Sequence, residues 1–129
     1  MRDFVPNKRI SSSYLLDCAA KGQLEFVPSG LFVRSTLMVR DVYGRTALHW
    51  AAQNGQVNLI PKGLLVTEHF LVLDAYSFSP LHIAASRRHL NQVPNQFLTR
   101  TTLFVSDDQG ATPLHFAAEY GSLDQVPSP

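Results

Sequence analysis

The sequence predicts an all-α helical-repeat solenoid of about four 33-residue units, and three observations carry that reading. Thr112-Pro113-Leu114-His115-Phe116-Ala117-Ala118 recurs 33 residues earlier as Ser79-Pro80-Leu81-His82-Ile83-Ala84-Ala85. It recurs again as Thr46-Ala47-Leu48-His49-Trp50-Ala51-Ala52, and in weaker form as Ser13-Tyr14-Leu15-Leu16-Asp17-Cys18-Ala19. Asp41, Asp74 and Asp107 keep the same beat, as do Pro28, Pro61, Pro94 and Pro127, and Val27, Ile60, Val93 and Val126. Four units stay in phase without an insertion, and a fixed period of this length marks stacked repeats.

Within a unit each element has its own reason. Asp41-Val42-Tyr43-Gly44-Arg45 and Asp107-Asp108-Gln109-Gly110-Ala111 read as short β-turn or hairpin loops, with glycine where a positive φ is needed. Thr112 is placed to cap a helix, and Pro113 suits the first helical position, where no N–H is required. Leu114, Ala117 and Ala118 then share one face, and Gly121 supplies the stop. The first clear helix is expected over about 13–21, capped by Ser12 or Ser13, with Leu15, Cys18 and Ala19 inward. The third unit lacks both glycines: Ser77 replaces the turn glycine and Arg88 the helix stop. That unit is therefore either strained or different in backbone.

After each helix stop comes Leu-x-x-Val or its equivalent, and then the recurring proline. A proline inside a helix costs roughly 3 kcal/mol. The second helix is therefore expected to start at the proline, with Leu-x-x-Val as a tight turn or a 3-10 segment. A further apolar pulse follows at Leu37-Met38, Phe70-Leu71 and Leu103-Phe104, and Thr67-Glu68-His69-Phe70 suits one more helical turn. One clean helix per unit and an outer layer of broken short helices result. Residues 1–12 read as a degraded N-terminal turn, with Phe4 in phase as the remnant of a preceding helix.

The run Asp41-Val42-Tyr43-Gly44-Arg45-Thr46-Ala47-Leu48-His49-Trp50-Ala51-Ala52-Gln53-Asn54-Gly55 resembles the ankyrin repeat, and Asp107 to Gly121 matches almost as well. The resemblance covers roughly residues 11–129. It implies one ankyrin-like domain over 1–129, in units of about 8–40, 41–73, 74–106 and 107–129, the last incomplete. The recurring proline departs from that family's uninterrupted second helix. The resemblance also implies protein binding, without catalysis, on a concave face formed by turn tips and first helices.

Composition narrows the function classes. The 129 residues carry a formal charge of +1, which does not suit a nucleic-acid partner, since phosphate binding wants a basic surface. The short basic clusters Arg87-Arg88-His89 and Lys8-Arg9 read as solvated surface. The single cysteine, Cys18, falls on a small helix position held elsewhere by Ala51, Ala84 and Ala117, so it reads as a packed thiol. No signal-peptide pattern opens the chain and no stretch approaches the roughly 20 apolar residues of a membrane span. A cytoplasmic, reducing setting is the expectation.

His49, His82 and His115 recur and suggest zinc, but packed neighbouring helices stand roughly 8–10 Å apart. Zinc needs each nitrogen within about 2.1 Å. The histidines are instead expected to bond backbone or cap hydroxyls. No hydrolase, redox or phosphate-loop motif assembles, so neither metal, cofactor nor catalytic residue is expected.

What varies on the fixed frame is the candidate binding set. Carried over position by position from the family, it comprises Val42, Tyr43, Arg45, Gln53 and Asn54 in the second unit. The third unit contributes Ala75, Tyr76, Phe78, Ser86 and Arg87, and the fourth Asp108, Gln109, Ala111, Glu119 and Tyr120. Aromatics and arginine dominate interface energetics; the alternative for Tyr76 and Phe78 is packing onto their own unit. Trp50, Ile83 and Phe116 are expected to fill space between units. A monomer is expected, with end-to-end association open through the incomplete last unit. The second reading is a scaffold segment of a longer repeat array with no partner of its own.

Overall fold

The computed structural model describes residues 14–126. Each unit contributes one regular α-helix: α1 (Tyr14–Ala20), α2 (Ala47–Asn54), α3 (Pro80–Ser86) and α4 (Pro113–Tyr120). They stack in chain order, α1 on α2, α2 on α3 and α3 on α4. Leu48, Ala51, Ala52, Leu81, Ala84 and Ala85 are all buried in that stack. Alanine at two successive inward positions lets adjacent helices approach closely, because interaxial distance follows side-chain size. No strand occurs among the described residues, and none of their helices is long and apolar enough to cross a membrane.

The caps follow from the recurring letters. The hydroxyls of Ser79 and Thr112 accept the backbone N–H groups of His82 (3.3 Å) and His115 (3.2 Å). Pro80 and Pro113 occupy the start of their helices, where a missing N–H costs nothing. Gly55 (φ 71°) and Gly121 (φ 79°) end α2 and α4 in the left-handed conformation. Arg88 adopts the same conformation after α3, at φ 64°.

The outer layer corrects one expectation. The prolines do not open a second α-helix. Val27, Ile60 and Val93, each just before a proline, are extended, with ψ of 126°, 129° and 129°. That is the region a following proline ring enforces by steric clash. Pro61 and Pro94 are extended too (ψ 130° and 138°), so each stands one residue outside a helical turn. A single 3-10 turn follows, closed on the carbonyl of proline itself: Leu31 N to Pro28 O (3.0 Å), Leu64 N to Pro61 O (3.0 Å) and Phe97 N to Pro94 O (2.9 Å). The segment ahead of each proline resolves as 3-10, at Leu24–Phe26, Val57–Leu59, Leu90–Gln92 and Leu123–Gln125.

One last helical turn completes each outer layer: Arg34–Leu37, Thr67–Phe70 and Arg100–Leu103. It drives Leu37, Phe70 and Leu103 into the core, where Phe70 stacks on Phe97 at 4.9 Å between ring centres. The helix expected over 13–21 is seen as Tyr14–Ala20. The degraded turn over 1–12, the Phe4 remnant, the Ser12 or Ser13 cap and Pro127 lie outside the described residues.

Candidate functional site

The turn tips are built three times on one device. Oδ1 of Asp41 accepts the N–H groups of Tyr43 and Arg45 (2.9 and 3.0 Å). Asp74 does the same for Tyr76 and Phe78 (2.8 and 2.9 Å), and Asp107 for Gln109 and Ala111 (both 2.9 Å). The aspartates are thus turn formers, as aspartate's short acceptor side chain favours. Gly44 is required twice over: φ is 72°, and a Cβ there would lie 3.0 Å from the backbone nitrogen of Ala75. Ser77 keeps the same left-handed backbone (φ 67°), so the third unit is strained rather than different. Its hydroxyl donates to Asp108 Oδ1 at 2.6 Å.

Two of the histidines, His49 and His82, tie their helix starts to the next unit. His49 Nδ1 accepts the Thr46 N–H (3.1 Å) and lies 3.0 Å from the Thr46 hydroxyl. Its Nε2 is 2.9 Å from the carbonyl of Phe78, one unit on. His82 repeats this with Ser79 (3.0 and 2.9 Å) and the carbonyl of Ala111 (2.9 Å). An accepting Nδ1 and a carbonyl at Nε2 together demand the neutral ring with its proton on Nε2. Burial pushes the His49 pKa down to about 4, against the opposing pull of the Phe78 carbonyl and Asp74. Burial lowers His82 as well, and His69 in the outer layer. Both nitrogens of His49 and His82 are committed to protein partners, which leaves no lone pair for a metal.

A second ladder carries no recurring letter. Gln56 accepts the Leu24 N–H (3.1 Å) and donates to Gly22 O (2.9 Å), binding the second unit back to the first. His89 reaches Ala52 O (2.9 Å), and the Ser122 hydroxyl donates to Ala85 O (3.0 Å). These three residues are 33 apart but differ in type, so identity could not reveal them. Only their shared place, just past the positive-φ stop, could have.

The expected binding residues fall into two groups. Val42, Tyr43, Tyr76 and Tyr120 stand out from the frame, at 90%, 49%, 56% and 47% exposed. Ala75, Arg87, Asp108, Gln109 and Glu119 are exposed too. The others are already engaged. Arg45 pairs with Asp74 (3.0 Å), donates to Gln53 (2.9 Å) and lies 4.7 Å over the Trp50 ring. Asn54 donates to the carbonyls of Ala19 and Ala20 (2.8 and 3.2 Å), and the Ser86 hydroxyl to Ile83 O (2.9 Å). Ala111 is half-buried, its carbonyl held by His82.

Phe78 is half-buried and leads a continuous aromatic run: Tyr76 to Phe78 (6.5 Å), Phe78 to Phe116 (5.7 Å) and Phe116 to Tyr120 (6.2 Å). Phe116 also packs edge-on to His82 at 5.3 Å, so it fills the space between units while its neighbours stay accessible. Tyr43 forms a separate pair with Trp50 at 6.5 Å. Sequence spacing did not reveal that Trp50 would be held by both Arg45 and Asp41, whose Oδ2 accepts the indole N–H at 2.7 Å.

A family model described as ankyrin repeats, in three copies, matches residues 15–94, more than half of the chain. This chain belongs to the ankyrin-repeat family. No curated protein matches it. Helix α4 lies beyond the matched span and repeats the ankyrin geometry of α2 and α3, down to the cap and the positive-φ stop. Ankyrin repeats are generally protein–protein interaction modules and typically non-enzymatic.

Proposed function

We propose that the chain is a non-enzymatic interaction module whose protein partner seats across the turn tips and the exposed ends of the first helices. The observation that carries this is the accessible aromatic set Tyr43, Tyr76 and Tyr120 on turns and helix ends whose backbone is already satisfied without them. Each ring packs one edge on a neighbour yet leaves about half its surface to solvent, and large rigid rings with a polar tip are the residues that dominate interface energy. The near-neutral charge suits a protein surface rather than a polyanion. A reducing, cytoplasmic setting suits the lone buried thiol of Cys18. In this reading the units run over about 8–40, 41–73, 74–106 and 107–129. The test is the joint substitution Tyr43→Ala, Tyr76→Ala and Arg87→Ala. Melting should hold while affinity for a partner captured from lysate falls; retained affinity refutes the assignment.

A second reading, a scaffold segment within a longer array, is favoured by the face of α4 turned away from α3. A hollow of about 560 Å³ there is lined by Phe104, Thr112, Leu114, His115, Ala118 and Leu123. Leu123 and Phe104 are 51% and 56% exposed, whereas Val57 and Leu90, which match Leu123 in the stack, are buried. His115 repeats the Thr112 bonds at Nδ1, but its Nε2 has no partner among the described residues. A further 33-residue unit encoded after Pro129 would support this reading, and a stop codon there would count heavily against it.

A further inference from the structure

Two neighbouring clefts between turn tips are built alike and filled differently. Between the second and third tips, the Ala75 N–H donates to Tyr43 O at 2.8 Å and closes the gap. Arg45 occupies the rest. Its Nε meets Asp74 Oδ2 at 3.0 Å and its guanidinium lies 4.7 Å from the centre of Trp50. A carboxylate and an aromatic face thus hold one planar cation.

Between the third and fourth tips the position 33 residues on from Arg45 is Phe78, so no guanidinium is supplied from within. A cleft of about 250 Å³ remains, lined by Ala75, Tyr76, Phe78, Asp107, Asp108 and Gln109. The backbone bond that closes the previous gap has no counterpart among the described residues; the Ser77 hydroxyl on Asp108 replaces it. Asp107 spends Oδ1 on its own turn, as the other two aspartates do. Its Oδ2 is different. Oδ2 of Asp41 accepts from Trp50 and Oδ2 of Asp74 accepts from Arg45, while that of Asp107 has no donor among the described residues. Tyr76 and Phe78, 6.5 Å apart and tilted by 31°, supply the aromatic wall.

We infer that this cleft takes an arginine side chain of the protein partner, seated against Asp107 and Tyr76 as Arg45 is seated against Asp74 and Trp50. A guanidinium fits better than an ammonium, because its planar fork can stack on a ring while donating edge-on to a carboxylate. Asp108 adds a second negative charge at the rim. This inference rests on the turn-tip reading and specifies the chemistry of its partner.

The test is a ¹H–¹⁵N NMR titration of the full chain with the blocked peptide acetyl-Gly-Arg-Gly-amide, against the neutral isostere carrying citrulline. Shifts are expected at residues 75–78 and 107–109. Citrulline, Asp107→Asn and Asp108→Asn should each weaken binding about fivefold, the size of a partly shielded charge contact. Asparagine keeps an acceptor for the turn, and Asp108 is exposed, so at least one variant retains the fold. Equal shifts with citrulline, shifts elsewhere, or undiminished binding by both variants would overturn the inference. The double variant Tyr43→Ala, Arg87→Ala spares the cleft and reads the parent proposal separately. If it loses the captured partner while both aspartate variants keep it, the cleft assignment fails and the turn-tip face stands. If the captured partner is indifferent to all of these changes, both fail.

Discussion

Acidification should loosen the stack through His49. Its ring is fully buried, accepts the Thr46 N–H at Nδ1 and meets the Phe78 carbonyl through Nε2. A proton added at Nδ1 would face the Thr46 N–H, a donor against a donor. The folded-state pKa is about 4 against an ordinary 6.5, so the fold favours the neutral ring. The stability this contributes is fully present above pH 6.5 and is lost progressively as pH falls from 6.5 to 4. Linkage over that window gives a loss of about 2 kcal/mol between pH 7 and pH 5. That is a large share of the roughly 5–15 kcal/mol typical of a domain. His82 is lowered in the same direction and adds to the fall. Urea unfolding at the two pH values should show the wild type losing about 2 kcal/mol more than His49→Gln, which cannot titrate. Long-range ¹H–¹⁵N spectra should show the Nε2–H tautomer. An Nδ1–H tautomer, a ring titrating near 6.5, or equal acid sensitivity in the variant would refute the reasoning.

Arg88→Gly should raise stability: about 1–2 kcal/mol of left-handed strain is relieved against about 0.5–1 of glycine entropy, for a melting gain of roughly 2–4 °C by calorimetry. Gly44→Ala should lower melting, because φ is 72° and the new Cβ would meet the Ala75 backbone at 3.0 Å; an unchanged melting temperature would contradict the tight tip-to-tip approach. Leu81→Ala should cost about 3–5 kcal/mol in chemical denaturation, whereas Leu114→Ala, half-buried on the uncovered face, should cost under about 2; equal costs would mean that face is covered in solution.

The repeat and its inner layer were legible because their determinants are local and recur as letters. A proline at a helix start, two alanines on one face and a positive-φ stop each have one physical meaning, and the spacing aligned them. The turn aspartates and the histidine row were legible for the same reason. Ser77 and Arg88 were legible as exceptions, and only the structure shows that the backbone holds its shape and bears the strain. The broken outer layer and its 3-10 segments were legible too, but the helix start placed at the proline was not, because proline acts on two residues at once. It forced Val27, Ile60 and Val93 extended and then stayed extended itself, so the helix expected to begin there shrinks to one 3-10 turn. The Gln56, His89 and Ser122 ladder was hidden because three different side chains serve one purpose. Arg45 was expected at a partner and is found on Asp74, since nothing in a sequence shows that a carboxylate 29 residues away lies beside it.

Hydrogen–deuterium exchange of the chain with its captured partner bound tests the binding face most directly. Amides at residues 42–45, 75–78 and 108–111 should gain protection on binding, while those of the outer turns at 29–37, 62–70 and 95–103 should not change. Protection confined to the outer turns, or to the face of α4 around Leu114 and Leu123, would contradict the account.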